Sequence, residues 1–595
     1  PGPPPGHGTP AVRAAQALWL ALIALTLARA ALAFVPSMWG WGLDLLRFIA
    51  PAPGWTLWAL AALALVPALA RHALPALEAL GRALDRSAAL AYGAWGAGAA
   101  ALAWAFPDRL RFVGDFLLRF GTAERALKPS ALFPQALPLD VLFHYRLARL
   151  LDVSLGMDVN TSARLLGALE AALLGVLAVA FARALALRGA VAVAASAVVL
   201  FGGYLGMFTG YGKAIAEVAL LTAAVAVFGL RVIRAGGGLL APGACVAVGL
   251  VLHRSTLGLL PALALCWAFA LREPDARARW SRPAFLLAAA LPLAALAVML
   301  PRIVSTFATM DPVHFTPPEV RQQGGILVAM FADARPADLL AVVALLSPLA
   351  LAAPGVAAAL AGRGAKWREG ALLLALALPW LAMLLLIHPP QGMFRDWDNF
   401  AAAAVTLSLV TAWLVATVVR EAPAWAWLCV PVALGAAAPS VQWLMHNADL
   451  ERGLARVEAY LREAPARSEE ERAKTWDFLG IRYAQLDRWD RSAEAMAHAA
   501  ELAPSPRVLL QWASAEQARG NDAGAQEAYR RLLAVAPDEA RGWYGLAFVS
   551  WRLGDWSECR RAARELLRLR PGNPQALEIL EQVDRRDSTR VEEAR

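Results

Sequence analysis

Apolar residues fill the first three quarters of the chain in long unbroken stretches, not in alternation with polar ones. Stretches suited to membrane-spanning helices cover 12–34, 54–70, 88–106, 161–182, 189–208, 214–230, 237–252, 256–271, 283–300, 337–357, 370–387, 400–419 and 424–441. Most reach or approach the roughly 20 residues that a helix needs to cross a bilayer. Helix is the expected form, because the stretches lack a two-residue period and lipid makes every backbone polar group pair within its own segment. The pattern predicts an all-α fold that begins as a polytopic bundle of about 13 membrane spans. After about residue 448 the long apolar stretches stop, and Ala, Arg, Glu and Leu alternate in amphipathic helical segments.

That tail is periodic. "TWDFLGIRYAQLDRWDRSAEAMAHAAELAP" opens Trp476-x2-Leu479-Gly480-x2-Tyr483 and closes at Pro504. A second copy opens Trp543-x2-Leu546-Ala547-x2-Ser550 and closes at Pro571, and between them "LLQWASAEQARGNDAGAQEAYRRLLAVAP" closes at Pro537. The closing prolines are 33 and 34 residues apart. The pattern resembles the tetratricopeptide repeat, with copies over 475–504, 508–537 and 541–571. It predicts a soluble α-solenoid of stacked helix pairs. The stretch 450–464 reads as a lone helix or cap, and "PQALEILEQVDRR" as the terminal capping helix. The chain thus divides into N-terminal spans over 1–106, a membrane core over 107–445 with outer loops 107–160, 301–336 and 388–399, and a repeat domain over 450–595.

Composition supports the membrane assignment: 17% of the residues are charged, where a soluble protein carries about 25%. The net charge of +9 calls for no nucleic acid, because it lies in loops. Arg71, Arg82 and Arg86, then Arg183 and Arg188, Arg231 and Arg234, Arg272, Arg277, Arg279 and Arg282, Arg363, Lys366 and Arg368, and finally Arg420 all fall in even-numbered loops; the third loop is basic too, but it is long and holds acidic groups. The positive-inside rule puts those loops in the cytoplasm. The odd loops and the repeat tail then face the other side. The four cysteines form neither a disulfide framework nor a zinc spacing. The apolar stretch from Ala14 to Phe34 is longer than the apolar region of an ordinary signal peptide and reads as a first span.

Polar chemistry gathers in the odd loops. In "FVGDFLLRFG", Asp115 follows a glycine and precedes an apolar turn, where a carboxylate can act as a general base or simply face water. In "LPLDVLFHYRLARLL", Asp140 and His144 are four apart and share one helix face. Such a pair can orient an imidazole, hold a metal with a third ligand, or make a plain local hydrogen bond. Glu217 lies just inside one span, and His253 ends another. Ionisable groups at membrane depth line a cavity or pair with one another. In "HPPQGMFRDWDNF", Arg395 offers a planar fork suited to phosphate. Asp396 and Asp398 flank Trp397, a ring suited to the membrane interface or to stacking on a sugar. The competing reading makes Asp398 or Asn399 a helix cap. The functional reading expects Asp115, Asp140, His144, Glu217, His253 and the 395–398 segment to line one outer cavity.

Many spans with polar groups converging on the outer face resemble the GT-C superfamily of membrane glycosyltransferases, which includes the protein O-mannosyltransferases and the lipid A arabinosyltransferases. "GDFLLR", "PLDVLFH", "GYGKAIAE", "LHRS" and "RDWDNF", in that order over about 100–445, look like a bacterial branch carrying tetratricopeptide tails. The resemblance implies an inverting transferase in the bacterial inner membrane. Its donor is a sugar on a polyprenyl phosphate, its base Asp115 and its phosphate clamp Arg395, with Asp140, His144, Glu217, His253, Asp396, Trp397 and Asp398 binding substrate. It leaves the divalent-metal requirement open. The lipid bilayer and a protein docked on the repeats are the other partners. One departure stands out. Relatives tend to carry the acidic motif in the first outer loop, where this chain offers only Asp44. Two other classes fit the pattern: a non-catalytic membrane scaffold recruiting proteins through its repeats, and a transporter or flippase. The matching halves expected of a transporter are not seen in the sequence.

Overall fold

The computed structural model describes residues 9–114, 116–235, 238–272, 282–361 and 367–593. Among these residues every regular element is helical. The chain forms two compact units, Pro1–Pro465 and Ala466–Arg595.

In the first unit, eight helices are long and apolar enough to cross a membrane, and up to ten spans result when two bent pairs each count as one. The thirteen expected from hydropathy are not all present as straight helices, and the local chemistry explains where they differ. The stretch 54–70 becomes Pro51–Ala64 and Pro67–Asp85, bent by 97°. Pro67 has no backbone N–H to continue the first helix and disfavours a helical residue before it. The second arm carries Arg71, Glu78, Arg82 and Asp85 on an amphipathic surface. The stretch 337–357 becomes Arg335–Leu346 and Ala350–Leu360, bent by 117° around Ser347–Leu349. The stretch 189–208 gives only the 12-residue helix Gly189–Leu200, followed by a 3₁₀ turn Gly203–Phe208. The stretch 237–252 gives the 13-residue helix Leu240–Leu252.

Close backbone approach sets the packing. The helix Ala88–Ala105 lies against Val159–Ala184. A Cβ on Gly175 would stand 2.4 Å from the carbonyl oxygen of Trp95, so only glycine lets the helices meet there. Small residues at such contacts are the usual means of packing helices when lipid removes the hydrophobic incentive. Ile215–Ala235 and Ala401–Glu421 are mostly buried, and Arg282–Thr309 is peripheral. On the peripheral helix Leu293 and Val298 are 63% and 69% exposed, which suits a lipid-facing surface.

The helix Leu450–Arg462 belongs to the first unit and not to the repeats. Arg456, 1% exposed, carries it inward. Its guanidinium donates to the carbonyl of Trp41, pairs with Asp44 at 3.1 Å and lies 5.1 Å from the Phe394 ring. Tyr460 stacks on Phe394 with centroids 4.1 Å apart. Asp44, the carboxylate of the first outer loop, is fully buried against that arginine. Its place in the fold is structural.

The second unit consists of antiparallel helix pairs. Glu469–Ala484 packs on Trp489–Leu502, Pro506–Ala518 on Asp522–Val535, and Ala540–Leu553 on Trp556–Leu569, before the closing helix Pro574–Glu593. Large and small residues interlock as the repeat pattern requires: a Cβ on Gly480 would meet the Met496 side chain at 2.6 Å.

Candidate functional site

Two polar clusters form within the first unit, and one short segment touches both. The first is built around His144. Residues Leu142–Arg146 form a π-helical turn, an irregularity that re-aims side chains and is frequent at functional sites. His144 Nδ1 lies 2.8 Å from Asp140 Oδ1. On the other side of the ring, Nε2 lies 3.1 Å from Oε1 of Glu217, in the first turn of Ile215–Ala235. Glu170, from Val159–Ala184, adds a second carboxylate beside Glu217. Arg119, on the short helix Phe116–Glu124, reaches Asp140 at 3.3 Å and covers the ring of Phe133 at 4.7 Å.

The electrostatics follow from this crowding. Burial pushes the Asp140 carboxyl up, but Arg119 and then His144 outweigh it and hold it well below the usual carboxylate range. Burial pushes the His144 imidazole down, while the Glu217 and Asp140 carboxylates outweigh that and lift it to about 10. The ring is therefore set between two anionic partners, with positive charge favoured at Nε2. His253 is the opposite case. Burial, then Arg254, pushes it down to about 3, which makes it a neutral imidazole. Its Nδ1 accepts from the backbone N–H of Ser255, and Arg254 itself pairs with Asp311 at 2.5 Å.

The second cluster joins the loop before Asp115 to the 395–398 turn. Arg395 donates from Nε to the Phe112 carbonyl at 3.2 Å and from Nη2 to the Gly114 carbonyl at 3.1 Å. Gly114 has φ +30°, and a Cβ there would stand 2.6 Å from Asp396 Oδ1, so this approach requires glycine. Gly114→Ala is expected to disrupt the packing of 112–114 on the 395–398 turn, read as increased protease cleavage in this loop with the remaining spans intact. Asp398 is fully buried, and it accepts from Tyr211 Oη at 2.8 Å and from Lys213 Nζ at 2.9 Å. The expected capping role is absent: the helix Ala401–Glu421 has no side-chain cap. The segment Tyr211–Lys213 runs beside both clusters: a Cβ on Gly212, at φ +63°, would stand 3.8 Å from His144 Cδ2.

The structure thus unites Asp140, His144 and Glu217 in one cluster, and Arg395, Asp396 and Asp398 in another beside it. His253 lies within electrostatic reach of Asp140, Lys213 and Arg119. Trp397 stands apart: it is 2% exposed and packs edge-on to Trp443 at 5.6 Å, which makes it a core residue and not a stacking platform. Asp115 lies outside the described residues. Four participants were not singled out from sequence: Arg119, Glu170, Tyr211 and Lys213. Glu170 had a signal, being a lone carboxylate inside a predicted span.

A cavity of about 770 Å³ opens next to Val141 and Tyr145, and Asp140, His144, Glu217, His253 and the Arg395–Asp398 turn are not among the residues that line it. Phe133, Val141 and Tyr145 contribute to its apolar wall, and Lys128, Arg149 and Arg302 to its basic rim.

Comparison with known proteins identifies the tail. Residues 506–549 match the family described as tetratricopeptide repeat. No curated protein matches the chain. Among solved structures, the first tetratricopeptide domain of Spaghetti (RPAP3) bound to the HSP90 peptide SRMEEVD is 17% identical, covering 20% of this chain and 94% of that one, with a TM-score of 0.19. The structure of MamA is 15% identical, covering 24% of this chain and 91% of that one, with a TM-score of 0.19. The tail therefore contains tetratricopeptide repeats, a fold that serves protein–protein interaction.

Proposed function

We propose that this is a multi-span protein of the bacterial inner membrane whose repeat tail recruits a protein partner on the outer side of that membrane. The tetratricopeptide match over 506–549 carries the recruiting role, since stacked repeats present an extended concave binding face. The placement rests on the clustering of Arg in the even-numbered loops of the thirteen-stretch count; an even number of crossings, as with eight or ten long apolar helices of the structure, would put the tail on the same side as the residues before the first span. The test is in-cell crosslinking with the full chain and with a chain ending at Pro465. The full chain, crosslinked throughout, is expected to give discrete protein adducts, and the shortened chain to lose them. Adducts unchanged by the deletion would contradict recruitment by the repeats.

A second reading gives the membrane unit a reaction: transfer of a sugar from a polyprenyl phosphate to an acceptor hydroxyl on the recruited partner. The observation favouring it is the convergence of Asp140, His144, Glu170 and Glu217 beside the Arg395–Asp398 turn, a concentration of buried charge that a scaffold has no need to maintain. The cavity, apolar with a basic rim, suits a ligand with an isoprenoid tail and an anionic head. In this reading Asp115 takes the acceptor proton, and the acceptor oxygen attacks the anomeric carbon. The bond from that carbon to the phosphate oxygen breaks with inversion, and the polyprenyl phosphate leaves against Arg395 and Lys213. The GT-C resemblance of the ordered motifs points the same way.

A further inference from the structure

His144, Glu170 and Glu217 come from three separate helical elements, yet one ligand atom from each lies within 4.8 Å of the others. The convergence is unusual in its burial. His144 is 8% and Glu170 9% exposed. Nε2 of His144, Oε1 of Glu170 and both carboxylate oxygens of Glu217 are sealed from solvent and lack an aligned hydrogen-bond partner. The 3.1 Å approach of Nε2 to Glu217 is close without being directed. Unsatisfied buried acceptors are costly, and two carboxylates facing each other inside a helix bundle are more so. Such a group persists where something positive belongs at its centre.

We propose that His144, Glu170 and Glu217 bind one divalent transition-metal cation, with Asp140 orienting the imidazole from behind. Charge supports it. The cluster holds three carboxylates, Asp140, Glu170 and Glu217, against the single guanidinium of Arg119. A metal would take the place of the proton on Nε2; with the imidazole then neutral, two negative charges remain, and a divalent cation cancels them. The donor set supports it as well. One imidazole nitrogen and two carboxylates suit zinc or manganese, whereas calcium calls for six to eight oxygens. Ligand atoms around zinc lie about 2.0–2.2 Å from the metal, so closing the present spread needs only side-chain adjustment. The Nδ1 contact to Asp140 is the arrangement that fixes the ring of a ligating histidine with Nε2 toward the metal. The π-helical turn at 142–146 gives His144 this aim.

The inference rests on the cluster and is independent of sugar transfer, so its test reads metal and not activity. The full chain, purified in detergent and stripped with a chelator, is titrated with Zn²⁺ and separately with Mn²⁺. Bound metal is counted by mass spectrometry after desalting, and thermal unfolding is followed in parallel. About one equivalent of at least one of the two ions per chain and a raised melting temperature are expected. The near-isosteric Glu170→Gln and the variant His144→Gln should each retain almost none. Asp140→Asn should bind 10–100-fold more weakly while keeping the stoichiometry at high metal, as loss of a supporting carboxylate does. A wild-type chain that retains neither ion would overturn the proposal. So would a Glu170→Gln or His144→Gln chain that retains as much as wild type.

Discussion

In the sugar-transfer reading, Asp115→Asn will lower transfer from a polyprenyl-phosphate donor by roughly 10²–10⁴-fold, the usual contribution of a general base. The amide keeps the shape and loses only the ability to take the acceptor proton. Arg395→Lys gives a contrasting signature. Arg395 holds the Phe112 and Gly114 carbonyls with two donors of its fork, and a lysine has a single point of attachment. It should raise the apparent KM for donor more than it lowers kcat, because both the loop and the phosphate contact loosen. The assay follows labelled sugar in membranes containing each variant, with the cell-surface glycan profile as the in vivo measure. Unchanged transfer and glycans in both variants would leave recruitment by the repeats as the whole function.

The second large effect is on stability. Arg456→Ala should destabilise the first unit by about 3–5 kcal/mol, because it leaves Asp44 charged and buried without a partner. Asp44→Ala should cost a similar amount for the reciprocal reason. Arg456 is enclosed by Trp41, Phe394 and Trp443 as well as by Asp44, so each single variant leaves its partner in a buried, largely aromatic setting. The double variant Asp44→Asn with Arg456→Met removes both charges and should cost much less than the two alanine variants together. Denaturant unfolding in detergent, followed by limited proteolysis of the first unit, measures all of these. Single variants within 1 kcal/mol of wild type would show that the pair contributes little to holding Leu450–Arg462 in place.

Much of this architecture is written plainly in the sequence. Apolar stretches announce the long helices of the first unit, and the Trp476 and Trp543 patterns announce the repeats, because both are local signals. The breaks at Pro67 and around Pro348 are legible as prolines, but the sharp bends depend on what packs against each arm. The boundary before Ala466 was hidden for a similar reason. Leu450–Arg462 looks like any amphipathic helix, and only the distant Asp44 and Phe394 assign it to the membrane unit. Within the polar clusters, Asp140 and His144 were visible as an i,i+4 pair, whereas Glu170, Lys213 and Tyr211 acquire meaning only through partners on other helices. Trp397 illustrates the converse. Its place in a polar loop suggested a binding ring, and its packing on Trp443 makes it core.

The central claim is that the repeat tail and the polar loops share the compartment outside the cytoplasm. It is tested most directly by placing a reporter cysteine on the tail at Gly520, an exposed turn residue with open space around it; its φ of +82° adds local strain, so an Ala518→Cys chain, at the exposed end of Pro506–Ala518, is labelled in parallel. The native tail cysteine, Cys559, is fully buried and gives little background. In intact cells whose outer envelope has been made permeable, the Gly520→Cys chain is predicted to react fully with a membrane-impermeant thiol reagent. Protection of that cysteine until the cells are lysed would place the tail in the cytoplasm and contradict the account.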